Sequence, residues 1–476
     1  MLQFLSMKRL ACFMTVLSLF LFASCNFDYQ KNTSWTLMVY LGSDNDLEEA
    51  LLNNARQLRN GYAGGCNVIV FIDRSTGYSE DSKLFGENFT GCRMYRLENK
   101  KYTRLYGNES FSDEAENSAN AKNLAGFISY CKENYPAEKY ALFLGSHGSG
   151  CNNVETQYTY TEPSDISDSE SSQTFSINAP ENNISYSFII NGGFEASGDT
   201  ITPSEMSSVL GKEHYVDIAA FDICHMGNYE FLYEIYADDW CPKYVTATPF
   251  EQGGPGYYYK DLVRYFDPNW HKEVDVEEFA LYIVEAYRNY TINNVEYYNK
   301  KTSATYGYNS AEVQVCSLYR MDKIGPVKTS VDAFSKEAYN QWDTFYKLIW
   351  LYKEYDIFFD YQNYILNYAM KGSSAPFIDL YDMAYLVKDA GISTNFAHLA
   401  NQVMKAVDEL ILDSFAGTYY QRFEDGLTGL SIWFPRSQSS MANDSQYYQL
   451  KSSVTNSRIS GVGNWYNLLK TCLPKY

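Results

Sequence analysis

The chain has 476 residues, a formal net charge of −20 and 45 tyrosines. That acidic balance argues against nucleic acid as a partner, which needs a basic footprint, and is compatible with basic substrates. Ten cysteines are scattered with no Cys-x-x-Cys pair, so neither a zinc site nor a compact disulfide framework is indicated.

The first elements belong to export. Lys8-Arg9 precedes an apolar run from Leu10 to Phe22, too short for a bilayer span of roughly 20 residues. Residues 1–24 therefore read as a signal peptide. Leu21-Phe22-Ala23-Ser24-Cys25 resembles a bacterial lipobox, which makes Cys25 the expected lipidated first residue of the mature protein. Residues 25–34 follow as a tether. The expected location is the bacterial cell envelope, with the outer membrane foremost and the membrane face left open, because no acidic run follows Asn26.

From Trp35 onward, apolar strands alternate with helical patterns. Thr36–Tyr40, Val68–Ile72 and Tyr140–Leu144 are continuous apolar runs, as expected of strands buried on both faces. Leu124, Phe127, Ile128 and Cys131 fall at helical spacing before Pro136. Residues 151–200 are rich in Ser, Asn, Asp and Thr and read as a polar insertion. Thr202-Pro203-Ser204-Glu205 spells a capping box with proline in the first turn. Val216–Phe221 and Tyr244–Ala247 are the fourth and fifth strands. Beyond about residue 265 the pattern is mainly helical and aromatic, with one later strand at Gly429–Phe434. The expected fold class is α/β, a mostly parallel sheet flanked by helices over 35–265. A mainly helical region, 266–476, returns a strand near the core.

Functional groups in such sheets gather at the carboxyl ends of strands. Two ends carry reactive side chains: His147, in Gly145-Ser146-His147-Gly148, and Cys224, in Phe221-Asp222-Ile223-Cys224-His225. Thiol attack requires thiolate, which a nearby imidazole favours before protonating the departing amine. The backbone N–H groups of Gly148 and Cys224 are candidates for an oxyanion hole. His225 is a rival base by proximity, but adjacent side chains generally point apart. His214, His271 and His398 have no supporting context.

The residues resemble the clostripain family of cysteine peptidases, within the caspase and gingipain clan. Trp35–Tyr40 with Asp44-Asn45-Asp46-Leu47-Glu48 resembles the opening strand and loop of that family, and Tyr135–Tyr140 running into His147–Gly150 its histidine block. Phe221–Met226 with Glu230 resembles the cysteine block. Thr248, Glu251, Gly254, Gly256 and Tyr259 resemble the glycine-rich loop, and Ile378–Leu380 and Gly429–Pro435 later landmarks. The resemblance implies a caspase-like core, a Cys224/His147 dyad without an essential third member, and cleavage of peptides or proteins after Arg or Lys. Asp222 matches an acid of the S1 pocket; Thr248 and Glu251 match its wall, although the surrounding glycines also suit a plain turn. His225 departs from the small or apolar residue usual after the nucleophile. No Lys or Arg lies between His147 and Lys212, so action as one chain is expected rather than self-cleavage in the insertion. No cofactor is expected to be required. Calcium dependence occurs in the family and stays open, without a calcium-loop spacing here. A degraded relative without activity, or a surface lipoprotein binding peptide or glycan, stands as the alternative; His147, Cys224 and Asp222 together argue against the first.

Overall fold

Five parallel strands form the centre of the molecule, and their order follows from which segments are apolar throughout. The computed structural model describes residues 33–75, 77–107, 117–148, 188–190, 200–236, 240–250, 252–253, 256–294, 311, 314–354, 377–417, 428–435, 437–438, 451 and 463–475. The signal peptide, Cys25, Glu251, Gly254 and most of the polar insertion lie outside the described residues.

The strands are β1 Trp35–Ser43, β2 Asn67–Arg74, β3 Gly91–Glu98, β4 Lys101–Leu105, β5 Lys139–Gly145, β6 His147–Gly148, β7 Phe188–Ile190, β8 Thr200–Ile201, β9 Ile218–Asp222, β10 Tyr244–Ala247, β11 Val315–Arg320, β12 Phe377–Asp379, β13 Ile411–Ala416 and β14 Ser431–Trp433. Nine form one sheet in the order β13-β11-β10-β9-β5-β1-β2-β3-β4. The run β10-β9-β5-β1-β2 is parallel. Two antiparallel strands extend each edge, β3 and β4 on one side and β11 and β13 on the other. Strands from beyond residue 266 thus complete the same sheet as the segments before it.

The period-2 alternation of a strand explains the unbroken apolar runs. Met38 and Tyr40 enter one core, with Phe127 from the helix Ala121–Asn134, Met206 from Pro203–Val209 and Val403 from Thr394–Leu410. Leu37, Val39 and Leu41 point the other way, into a second core with Leu51 and Leu52 of Glu48–Gly61, Leu262 of Tyr259–Arg264 and Phe279 of Val276–Asn293. Helices therefore cover both faces. The capping box at Thr202 forms as expected: Glu205 N–H donates to the Thr202 hydroxyl at 3.2 Å, and Thr202 N–H to the Glu205 carboxylate at 2.8 Å. Leu124, Phe127, Ile128 and Cys131 all face the core.

The late strand differs in one respect from a simple return to the core. β14 pairs antiparallel with β12, outside the large sheet, and Ser431 bridges to Asn228. No helix among the described residues is long and apolar enough to cross a membrane.

Candidate active site

β5 and β9 are adjacent and parallel, with Gly145 opposite Asp222. His147 and Cys224 each lie two residues beyond that level. Neighbouring strands are about 4.8 Å apart, so equal extension brings the two reactive residues to one rim of the sheet. Gly148 seals this junction. An ideal Cβ placed on it would fall 2.2 Å from the Ile223 side chain and 3.2 Å from the Cys224 carbonyl oxygen. Only glycine permits so close an approach.

The histidine side is braced by β1. The Ser146 hydroxyl donates to Gly42 O at 2.9 Å, which holds the residue before His147 against the end of β1. Just past that end, Asp46 Oδ1 lies 2.6 Å from His147 Nε2. The Asp46 side chain keeps 43% of its surface exposed, so it is only partly desolvated; that partial burial raises its carboxyl, but the hydrogen bond and charge of His147 outweigh it and hold the group below its ordinary value. In the sequence Asp46 lies in the opening loop with no role assigned to it. The signal was there in the expectation of adjacent strands, since whatever follows β1 borders whatever follows β5.

The cysteine side is a tight loop pinned to the segment after β10. His225 N–H donates to Phe250 O at 2.8 Å, Gly227 N–H to Thr248 O at 2.7 Å, and Gln252 N–H to Cys224 Sγ at 3.2 Å. A donor aimed at sulfur favours the thiolate over the thiol. Asn228 closes the loop from below. Its amide donates to His225 O at 2.6 Å, while its carbonyl oxygen accepts from Phe231 N–H at 2.8 Å and caps the helix Tyr229–Ile235. The C-terminal region backs this loop through Ser431 N–H to Gly227 O at 3.0 Å and Trp433 N–H to Glu230 Oε1 at 3.1 Å.

His225 is not a second base at this rim. Its side chain is buried, stacked on Phe377 with ring centres 5.7 Å apart, and its backbone is left-handed at φ 60°. Burial pushes the imidazole down to about 4, so it is neutral at physiological pH.

Asp222 is buried beneath the loop. Its Oδ2 accepts from Asn54 Nδ2 at 3.3 Å and from Tyr257 N–H at 3.2 Å. Gly256, at φ 61°, lies directly over the carboxylate, where a Cβ would come within 2.4 Å of both oxygens. Burial pushes Asp222 up to about 7, opposed by Tyr257 N–H, the Tyr259 hydroxyl and the Gln252 amide. Those two side chains approach without completing bonds: Asp222 Oδ1, the Tyr259 hydroxyl and Gln252 Nε2 are buried polar atoms without a hydrogen-bond partner. Thr248 is buried, its hydroxyl accepting from Phe250 N–H at 3.1 Å, so its geometry is that of a turn supporting the loop. Cys66, Cys92, Cys131 and Cys316 are buried thiols. Among the described residues no group of three or more His, Cys, Asp or Glu side chains converges to hold a metal ion.

A family model described as the clostripain family matches residues 39–170 and 189–471. Clostripain of Hathewaya histolytica is 28% identical over 93% of this chain and 81% of its own length. Two crystal structures share the fold. One is a secreted C11 cysteine protease from Bacteroides thetaiotaomicron in complex with an irreversible peptide inhibitor, with TM-score 0.54 and 16% identity over 87% of this chain and 96% of that one. The other is an inactive zymogen C11 protease from Parabacteroides distasonis, with TM-score 0.53 and 17% identity over 88% of this chain and 97% of that one. With the matched segments spanning most of the sequence, the chain belongs to the clostripain family and is a cysteine peptidase of peptide or protein substrates.

Proposed function

We propose that the protein is an endopeptidase that cleaves after Arg or Lys, with Cys224 as nucleophile, His147 as its acid–base partner and Asp222 as the acid of the S1 pocket. The observation that carries this reading is a rim with two reactive residues at equal register above a buried carboxylate that has one unpartnered oxygen. A desolvated acid without a cation is costly to keep. A guanidinium or ammonium from substrate gives it a charge-assisted partner.

In this scheme the Cys224 thiolate attacks the scissile carbonyl carbon, forming the C–S bond. N–H groups of Gly148 and Cys224 receive the oxyanion. The C–N bond then breaks, the imidazolium of His147 gives its proton to the leaving amine, and a thioester remains. Water, deprotonated by His147, attacks that thioester and returns the thiolate. The contact between Gly148 and the Cys224 backbone supports this arrangement. Thr248 contributes by shaping the loop, and Glu251 is its proposed companion in the pocket wall. Export and lipid attachment at Cys25 complete the reading: the enzyme would work on peptides at the cell envelope. Labelling with a fatty-acid analogue, lost in Cys25→Ala, tests the anchor.

The test of the activity compares fluorogenic peptides with Arg, Lys, Asp or Ala at P1 under reducing conditions, with and without calcium. Turnover is expected only for Arg and Lys and is expected to vanish in Cys224→Ala and His147→Ala. Equal turnover of all four peptides, or activity surviving either substitution, contradicts the proposal.

A further inference from the structure

We propose that Asp46 is a positioning residue for His147, so that the catalytic group is a Cys–His–Asp series and not a pair. The inference rests on the proposed roles of Cys224 and His147 and adds a third member from a separate strand end.

Asp46 Oδ1 and His147 Nε2 are 2.6 Å apart, the short distance of a charge-assisted bond. With Nε2 engaged, Nδ1 is the ring nitrogen that serves the thiol. An imidazole held by one nitrogen keeps both its ring plane and its tautomer, which is the task of the carboxylate in serine peptidase triads. Asp46 does not reach the ring by chance of a loose loop. The preceding residue, Asn45, is fully buried and makes a turn: its amide donates to Gly42 O at 3.1 Å, and its carbonyl oxygen accepts from Leu47 N–H at 2.9 Å. Such a turn fixes the following backbone. Glu48 N–H donates to Asn45 O at 3.0 Å, and the Glu48 carboxylate makes a fully buried 2.7 Å ion pair with Arg74 at the end of β2. Asp46 thus stands on a rigid corner between β1 and the helix Glu48–Gly61. Burial raises the Asp46 carboxyl, and the hydrogen bond and charge of His147 more than offset it, so the pairing favours the carboxylate.

During turnover the proton moves only between sulfur, Nδ1 and the leaving amine or water. Asp46 neither takes nor gives it; it stabilises the imidazolium by charge and aims the ring.

The experiment measures kcat and KM for an Arg or Lys P1 peptide in wild type, Asp46→Ala, Asp46→Asn, His147→Ala and Cys224→Ala, together with the rate of Cys224 alkylation by iodoacetamide. Asp46→Ala is expected to lower kcat roughly 10- to 100-fold, part of the roughly 10²–10⁴-fold that a positioned base supplies, with KM within about threefold. Alkylation should slow in parallel. Asp46→Asn removes the charge and lets the amide hold the ring in the wrong tautomer, so it is expected to lose at least as much kcat as Asp46→Ala. Wild-type kcat in Asp46→Ala overturns the proposal. So does an Asn variant with wild-type kcat, or a loss carried by KM alone. If Asp46→Ala does not fold, the Asn variant decides: a kcat lowered at least about 10-fold with KM within about threefold supports the role, and near-wild-type kcat overturns it. Activity surviving in the His147 or Cys224 variants is a different result and removes the proposed catalytic roles themselves.

Discussion

Replacing Asp222 by Asn should separate the pocket from the catalytic groups and do so with opposite signs on activity and stability. Asp222 is fully desolvated under Gly256, with one oxygen bonded to Asn54 and Tyr257 and the other unpartnered. Removing one member of a buried charge pair costs roughly 3–5 kcal/mol, which is on the order of 10²–10³-fold or slightly more in kcat/KM. Peptides with Arg or Lys at P1 should lose that much. Burial pushes the free carboxyl up to about 7 from the usual 3.8, so in wild type kcat/KM for basic P1 should climb as pH passes through 7. In Asp222→Asn that limb should flatten. The same shift has a stability consequence. The native state holds this proton at a pH where the unfolded chain has released it. The contribution is thus fully present below about pH 4 and is lost as pH rises to about 7, on the order of 4 kcal/mol across the window. The Asn variant, neutral throughout, should therefore melt higher than wild type above pH 7, with the gap narrowing toward pH 4. Steady-state kinetics on paired peptides and thermal melts from pH 4 to 8 read both effects. An equal loss on every P1 residue, or a variant that fails to fold, refutes the pocket assignment.

Two further substitutions probe the rim. Gly148→Ala puts a methyl 2.2 Å from the buried Ile223 side chain and against the Cys224 carbonyl, and should lower kcat at least about 10-fold, since a shift of 1 Å in reacting groups costs about 10²-fold, and also lower the melting temperature, since overpacking costs about 1–3 kcal/mol. A wild-type kcat would mean that the His147 and Cys224 loops are not in the contact described. His225→Phe keeps the stacked ring and removes the buried base. Because burial pushes His225 down to about 4, its contribution is present above about pH 6.5 and is lost as pH falls toward 4, on the order of 3 kcal/mol. The Phe variant should lack that acid-side loss in pH-dependent melts; an unchanged acid-side slope would show that the imidazole is solvated.

The legible parts of the fold were those where one physical signal decides. Thr36–Tyr40, Val68–Ile72 and Tyr140–Leu144 are almost wholly apolar because helices cover both faces of their strands, and their short length separates them from buried helices. The Thr202–Glu205 cap is local, so four residues suffice to read it. The edge strands were not read. In β3 the apolar Met94 and Leu97 alternate with Arg93 and Arg96, and in β4 Tyr102 is flanked by Lys101 and Thr103, a pattern that polar loops share. β11 and β13 are separated by some ninety residues, mostly helical among those described, and neither their antiparallel pairing nor that of β11 with β10 is encoded in a local pattern. At the site, His147 and Cys224 stood out because glycine and small residues at strand ends are a recognisable context. Asp46 did not, because its partner lies 101 residues away and becomes a neighbour only when β1 and β5 pair. His225 could be flagged as unusual from sequence, but its left-handed backbone and its place against Phe377 depend on β12, more than 150 residues on.

The most direct test is to expose the reduced protein to a peptidyl acyloxymethyl ketone with Lys at P1 and map the adduct by mass spectrometry. One covalent adduct on Cys224, blocked by excess Arg or Lys peptide and absent in His147→Ala, is the expected result. Modification of any other cysteine in place of Cys224, or labelling as fast with Asp at P1, would contradict the account.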